Sequence, residues 1–200
     1  MTIRRRAIAL IAAATAGVLA LTAGSATGWK QKETMTAAAG GGAVADTPRF
    51  TVAMVTHEAP GDSFWDKVRK GAETAAAKDN IELRYSADPT AAGQATLVQN
   101  AVDSKVDGLA VTLVQPEAMK APVGAADAAG IPVVAFNAGI DQYKDVGAMM
   151  YFGSDEDVAG KAVGERIAAA GARHPLCVIQ EQGSVSLEAR CQGVLAEAAG

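Results

Sequence analysis

The stretch Arg49–Ala77, RFTVAMVTHEAPGDSFWDKVRKGAETAAA, decides how the rest of the chain is interpreted. It opens with an uncharged apolar run, Phe50–Val55, which is typical of a strand buried on both faces. A polar loop follows, and Ser63 with Asp66 three residues later predicts the start of a helix. The stretch therefore predicts a strand, a loop and a helix in succession.

Two aromatic residues, Phe64 and Trp65, stand at the entrance of this helix. In open α/β sheets the loop after the carboxyl end of a strand is where ligands bind. The residues alone leave two interpretations open: the rings form a platform for a ligand, or they cover the top of the core.

Strands and helices continue to alternate after this stretch. The further predicted strands are Ile81–Tyr85, Leu109–Val114, Ile131–Phe136, Met149–Phe152 and Leu176–Gln180. The predicted helices between them are Ala91–Ser104 after the cap Thr90, Pro116–Ala129, Asp155–Ala172 with a capping box of Ser154 and Asp157, and one from about Leu187. This regular alternation predicts right-handed crossovers and an α/β fold with a parallel sheet and helices on both faces.

Composition divides the chain into four segments. Residues 1–26 have three arginines, an apolar run and small residues in the order of an export signal. Residues 27–48, with three consecutive glycines, are predicted to be a flexible linker. Residues 49–173 supply five strands, enough for one compact unit, whereas residues 174–200 supply one strand and one helix. Because this last segment cannot bury a core of its own, we expect more chain to belong after it.

Charge argues against two classes of partner. The whole chain has a formal net charge of −4, and residues 1–48 hold five of its 18 basic but only two of its 22 acidic residues, so the remainder has a net charge of 13 minus 20, or −7. An acidic domain without a basic stripe disfavours binding to nucleic acid or to anionic membrane surfaces.

Catalytic and cofactor motifs are scarce. The two histidines, His57 and His174, belong to no cluster with metal-ligand spacing, and the chain has neither a P-loop nor a Gly-x-Gly-x-x-Gly motif. Gly61-Asp62-Ser63 resembles the nucleophile block of GDS-type esterases, but neither histidine has the Asp-x-x-His context that such an enzyme needs. We therefore predict a protein that is not an enzyme and has no cofactor or metal, with an exported esterase as the alternative.

The two cysteines, Cys177 and Cys191, allow a single intramolecular pairing. An exported protein can form a disulfide bond. Two separate buried thiols are an equal alternative at this point.

Polar side chains follow four different predicted strands at their carboxyl ends. They are Asp62, Asp88, Gln115 and Asn137. Because these ends meet at one edge of a parallel sheet, we expect the four side chains to converge there beside Phe64 and Trp65. Carboxylates and amides that can each engage neighbouring hydroxyls, next to a flat ring, suit a neutral, hydroxyl-rich ligand.

The chain resembles the ribose/galactose type of periplasmic sugar-binding protein, the solute-binding component of ABC importers. The matching pieces span residues 49–200 in order: Ser63-Phe64-Trp65, Val106-Asp107-Gly108-Leu109, Gln115-Pro116, Ile131–Asn137, Gly153-Ser154-Asp155 with Gly160 and Gly164, and Ala189–Gly193. The resemblance implies a periplasmic-binding-protein-like type I fold, in which two α/β lobes joined by a three-stranded hinge close on a sugar. The lobe at 49–173 is then nearly complete and the second lobe, from residue 174, only begun.

The resemblance also implies roles for single residues. Phe64 and Trp65 fall at ring-stacking positions, Asp62 and Gln115 at polar positions of the first lobe, and Arg190 where an arginine of the second lobe reaches the ligand. Asn137 stands where the family often has an aspartate, and Ala138 where an arginine often follows. Because both changes remove charge from the hydrogen bonds, we expect a ligand other than ribose: another pentose, a hexose or a linear polyol.

By resemblance, the function expected is capture of a monosaccharide or polyol and its delivery to an ABC permease, by a monomer exported to the periplasm or the exterior of the cell envelope. The alternative is a binding protein that hands its ligand to a chemosensory or signalling receptor. A sugar-responsive repressor shares the core, but it would begin with a helix-turn-helix instead of an export signal. Since half of the clamp is missing, residues 49–200 alone are expected to bind sugar weakly or not at all.

Overall fold

The computed structural model describes residues 44–198, in which strands and helices alternate as the sequence predicts up to residue 169. The elements are β1 Phe50–Thr56, α1 Ser63–Lys78, β2 Ile81–Ala87, α2 Ala91–Asp103, β3 Gly108–Thr112, α3 Pro116–Ala128, β4 Val133–Phe136, α4 Tyr143–Val146, β5 Met150–Phe152, α5 Glu156–Ala169 and α6 Val185–Ala198. The predicted export signal and most of the predicted linker lie outside the described residues. Within residues 44–198 no helix combines the length and the apolar character that crossing a membrane requires.

The five strands form one parallel sheet in the order β2-β1-β3-β4-β5. The inner strands are apolar because helices cover them: the side chains of Val55, Val111 and Ala135 are fully buried. The chain adds β2 on one side of β1 and β3 on the other, so the point where the winding reverses lies between β1 and β3. This arrangement confirms the predicted α/β class and places the carboxyl ends of all five strands along one edge.

The helix starts follow the predicted chemistry, but two of them begin on the neighbouring residue. Thr90 caps α2 as predicted, its hydroxyl oxygen accepting a hydrogen bond from the backbone of Gly93 at 3.1 Å. At α1 the cap is Asp62 and not Ser63, and at α5 it is Asp155 and not Ser154. Each aspartate accepts a backbone N–H of the first turn, where the helix dipole also favours its negative charge over a neutral hydroxyl.

The predicted sixth strand is wrong. Residues 176–180 are irregular, and the side chains of Leu176 and Val178 are 89% and 76% exposed. A strand satisfies its backbone N–H and C=O groups by pairing, and no strand in the described part of the chain lies beside this run. The loop predicted over 138–147 was also too simple, since it contains the single turn of α4, which Gly147 ends at φ 104°.

α5 and α6 pack against each other and not on the sheet. Their crossing depends on glycine: a Cβ atom added at Gly160 would collide with the backbone carbonyl of Arg190, and one added at Gly164 would lie 2.7 Å from the carbonyl oxygen of Val194. This close approach fixes the start of α5 next to the middle of α6 and thereby sets the position of Arg190.

Candidate binding cleft

A cleft of about 400 Å³ opens at the carboxyl edge of the sheet, facing the segment that leads into α6. Five of the six predicted ligand-binding residues line it: Asp62, Phe64, Trp65, Asn137 and Arg190. The lining is completed by residues that the sequence did not single out as ligand contacts: His57, Glu156, Gln180, Glu181, Ser184, Ser186 and Leu187. A volume of this size suits a small molecule.

The other two polar residues predicted at this edge lie outside the lining. Gln115 precedes α3 without capping it, and its side-chain amide lies against Gly183. Asp88 is engaged in its own turn, where its Oδ1 accepts hydrogen bonds from the backbone and the hydroxyl of Thr90 at 2.8 and 2.6 Å. The convergence predicted for four polar strand ends therefore holds for Asp62 and Asn137.

The two aromatic rings have different environments. The side chain of Phe64 is 50% exposed, whereas that of Trp65 is 3% exposed. The Trp65 ring makes edge-to-face contacts with three neighbours, at centroid distances of 4.9 Å to His57, 5.1 Å to Phe64 and 6.3 Å to Phe136. The core-covering interpretation holds for Trp65, which also borders the cleft; Phe64 leaves a ring surface exposed, and its role as a platform for a ligand stays a prediction.

Asp62 and Asn137 are both held by their own backbone surroundings. One carboxylate oxygen of Asp62 accepts the backbone N–H of Phe64 at 2.9 Å as the helix cap. Asn137 adopts a left-handed conformation with φ 65°, which asparagine tolerates better than most residues, and its N–H donates to the carbonyl of Phe152 at 2.9 Å. These contacts fix both residues at the sheet edge.

Arg190 reaches the cleft paired with Glu156, for which the sequence predicted only a place in the first turn of a helix. Its Nε donates to Glu156 Oε2 at 2.6 Å. This hydrogen bond raises the pKa of Arg190 against the opposing effect of burial. Glu156 is the first residue of α5, where the helix dipole stabilises its charge.

His57 lies between the sheet and the cleft. Its Nδ1 is 2.8 Å from Thr112 Oγ1, and its Nε2 is 3.6 Å from Glu181 Oε2. Burial lowers the pKa of His57 to about 4, against an opposing effect of the Asp62 carboxylate. The imidazole is therefore neutral at pH 7, and its contact with Glu181 is not an ion pair. Burial also raises the pKa of Glu181.

A second polar cluster, formed by Glu58, Arg69 and Tyr85, holds the loop between β1 and α1 in place. Arg69 Nη2 donates to both carboxylate oxygens of Glu58 at 2.9 and 2.7 Å, and the Tyr85 hydroxyl donates to the same carboxylate. Burial raises the pKa of Glu58, but the hydrogen bonds from Tyr85 and Arg69 outweigh it, so the pKa is lowered. The sequence signal was a carboxylate two residues after a buried strand, which needs a hydrogen-bonding or cationic partner where the loop buries it.

The nucleophile and base that an esterase needs are not brought together in the described residues. Ser63 is exposed, and the imidazole of His57 is engaged by Thr112, so the two do not form a nucleophile and base. In the part of the chain that the structure describes, no group of three or more His, Cys, Asp and Glu side chains is placed to hold a metal ion. Cys177 and Cys191 are joined as a disulfide, with Cα atoms 5.9 Å apart, and this ties the cleft-lining segment to α6.

A family model described as a periplasmic binding protein domain matches residues 52–200. A carbohydrate transporter from Acidothermus cellulolyticus 11B, solved in complex with myo-inositol, is 57% identical with a TM-score of 0.75, and the match covers 76% of this chain and 54% of that one. No curated protein sequence matches the chain significantly.

Two more distant structures share the fold. The periplasmic sugar binding protein of an ABC sugar transporter from Legionella pneumophila is 24% identical with a TM-score of 0.71, covering 76% of this chain and 57% of that one. An ABC transporter solute binding protein from Burkholderia graminis C4D1M, in complex with D-arabinose, is 23% identical with a TM-score of 0.67, covering 75% and 52%. This chain spans about half the length of the solved structures it matches.

Proposed function

The chain belongs to the periplasmic binding protein domain family, and on that basis we propose that the protein is an extracytoplasmic solute-binding protein that captures a sugar or polyol. The observation that carries the proposal is the cleft itself, where an exposed ring, three carboxylates, two amides and a guanidinium meet at the carboxyl edge of a parallel sheet. The 57% identity to a protein solved with myo-inositol favours a cyclic polyol over the linear one considered from sequence.

The lining favours a neutral ligand. Hydroxyl groups donate to carboxylates such as Asp62 and accept from the amide of Asn137, while the C–H face of a ring packs on Phe64. The Arg190 guanidinium is offset by Glu156, so an anionic sugar would meet the uncompensated charges of Asp62 and Glu181. We expect sugar phosphates and sugar acids to bind less well than the neutral parent compounds.

We infer that the boundary between the two lobes lies between β5 and α5, and not at residue 173 as the sequence predicted. α5 packs on α6, and neither helix lies on the sheet, so both helices belong on the same side of the boundary. The cleft is then bordered by the sheet edge on one side and by the start of the second lobe on the other. A ligand that contacts both sides stabilises the closed form by its differential affinity for it.

The proposal has three further parts. The protein delivers its ligand to an ABC permease, it acts as an exported monomer, and it catalyses no reaction. The receptor-linked alternative uses the same cleft, and it differs only in the partner. Affinity capture from detergent-solubilised membranes, with the ligand-loaded protein as bait, separates the two by recovering either a permease or a receptor.

The proposal is tested by calorimetry on the full-length protein with myo-inositol, D-ribose, D-arabinose, D-galactose, D-sorbitol and myo-inositol 1-phosphate. We expect a neutral sugar or polyol to bind, the phosphate to bind at least tenfold more weakly, and Phe64→Ala to weaken binding at least tenfold. Val163→Ala removes an exposed side chain of α5 outside the cleft and serves as the matched control. Failure of every compound to bind would overturn the proposal, and a preference for ribose would overturn the ligand class expected.

A further inference from the structure

A chain of buried hydrogen bonds runs from α2 to the cleft. The side chains of Gln94 and Thr112 are 2% and 0% exposed. The Gln94 amide nitrogen is 2.9 Å from the Thr112 carbonyl oxygen and 2.9 Å from Thr112 Oγ1. Because a carbonyl oxygen can only accept, the nitrogen and not the oxygen of the Gln94 amide must face Thr112.

This orientation fixes the direction of the next hydrogen bond. Thr112 Oγ1 accepts from Gln94, so its own hydrogen is free to point at His57 Nδ1, 2.8 Å away. Gln94 and His57 are its two side-chain partners among residues 44–198. If His57 donated instead, the Thr112 hydroxyl hydrogen would be left buried without an acceptor, which is unfavourable.

The neutral His57 ring therefore accepts at Nδ1 and keeps its hydrogen on Nε2, the atom that faces Glu181 across 3.6 Å. That separation is longer than an N–H···O hydrogen bond. One oxygen atom beside the pair can nevertheless lie within hydrogen-bond distance of both. The donor, His57 Nε2–H, and the acceptor, the Glu181 carboxylate, therefore lie on either side of a position that can hold one oxygen atom.

We propose that His57 and Glu181 bracket one hydroxyl group of the ligand, with His57 Nε2–H donating to its oxygen and Glu181 accepting its hydrogen. Gln94 and Thr112 act as positioning residues that fix the tautomer of His57. This inference rests on the proposed function, because it needs a hydroxylated ligand in the cleft. Among the groups of a neutral sugar or polyol, only a hydroxyl satisfies both sides, because an ether oxygen cannot donate and a deoxy carbon does neither.

The tautomer is tested first, without ligand, by NMR of nitrogen-15-labelled full-length protein at pH 7. A His57→Gln variant assigns the His57 signals by their disappearance. We expect a protonated Nε2 and an accepting Nδ1 in the wild type and in Thr112→Ser. Thr112→Val, which keeps the shape but removes the hydroxyl, should shift the ring toward a mixture of tautomers. A protonated Nδ1 in the wild type, or no response to Thr112→Val, would overturn the positioning role.

The bracket is tested by calorimetry with myo-inositol and its mono-O-methyl ethers. In the wild type we expect one ether position to lose at least tenfold in affinity because it can no longer donate to Glu181. In Glu181→Ala, myo-inositol should weaken and that ether should bind within about twofold of it. Phe64→Ala, the control, should weaken both compounds and preserve their ratio.

The outcomes separate the two proposals. Binding of myo-inositol with the same ether selectivity in the wild type and in Glu181→Ala would overturn the bracket and leave the proposed function standing. Absence of binding by myo-inositol and by every compound of the earlier panel would overturn the proposed function and the bracket with it, while the tautomer result is independent of any ligand.

Discussion

Two short apolar runs, Ile131–Phe136 and Leu176–Gln180, look alike in the sequence and differ completely in the structure. The first supplies β4, which lies between β3 and β5 with Val133 and Ala135 buried. The second is irregular, and Leu176 and Val178 face solvent. The difference teaches that an apolar run specifies a strand only where other strands are in place to pair with it and helices to cover it.

The largest expected effect contrasts a buried leucine beside the sheet with an exposed leucine of the irregular segment. Leu113→Ala removes a fully buried side chain that follows β3, and it should lower the free energy of unfolding by about 2–5 kcal/mol. Leu176→Ala removes a side chain of the same type at an exposed site and should change it by less than about 0.5 kcal/mol. Urea unfolding followed by circular dichroism measures both. Similar losses would show that residues 176–180 are buried in solution.

This contrast also marks how far the sequence could predict the fold. The sheet and its helices follow from local patterns, because apolar runs and caps lie close to each other along the chain. The choice between the adjacent cap residues Asp62 and Ser63 does not follow from residue type alone, because aspartate and serine both cap helices well. The same limit applies to the candidate site. Asp62 and Asn137 could be predicted because each follows the end of a parallel strand. Glu156 and Glu181 could not, because their positions depend on where α5, α6 and the irregular segment lie.

The second prediction concerns the bond that holds the irregular segment. Replacing Cys177 and Cys191 together by serine should destabilise residues 176–191 by about 2–4 kcal/mol, since it removes a loop constraint. Hydrogen exchange should accelerate at residues 178–184 and stay unchanged in β4. Equal acceleration of exchange in β4 and in residues 178–184 would mean that the two regions unfold as one cooperative unit. They would then differ in structure but not in local stability.

The third prediction concerns His57, which stands between the two regions. Its folded pKa of about 4 lies below its unfolded value of 6.5, so unfolding takes up a proton in this range. The stabilisation is complete above pH 6.5 and is lost as the pH falls toward 4, by up to about 3 kcal/mol. In His57→Gln the free energy of unfolding should vary less between pH 7 and 4, as measured by denaturant titration at each pH. If the free energy of unfolding of His57→Gln fell with pH as steeply as that of the wild type, another group would be responsible for the proton uptake.

The smallest expected effect tests the glycine crossing of α5 and α6. Gly160→Ala introduces a methyl group against the backbone carbonyl of Arg190 and should cost about 1–3 kcal/mol. Gly124→Ala, in the middle of α3 with open space around it, should be neutral or stabilising by up to about 1 kcal/mol. Thermal unfolding ranks the two variants. The opposite order would indicate that the helices are farther apart in solution.

Trp65 gives the protein a built-in optical signal at the place where the two regions meet. The chain has two tryptophans, and the other, Trp29, precedes the described residues, so a protein of residues 44–200 would carry Trp65 alone. Its ring touches His57 and Phe64, and both border the cleft. The intrinsic fluorescence of that shortened protein would therefore report, without any attached dye, on events at the cleft and not on the average state of the molecule.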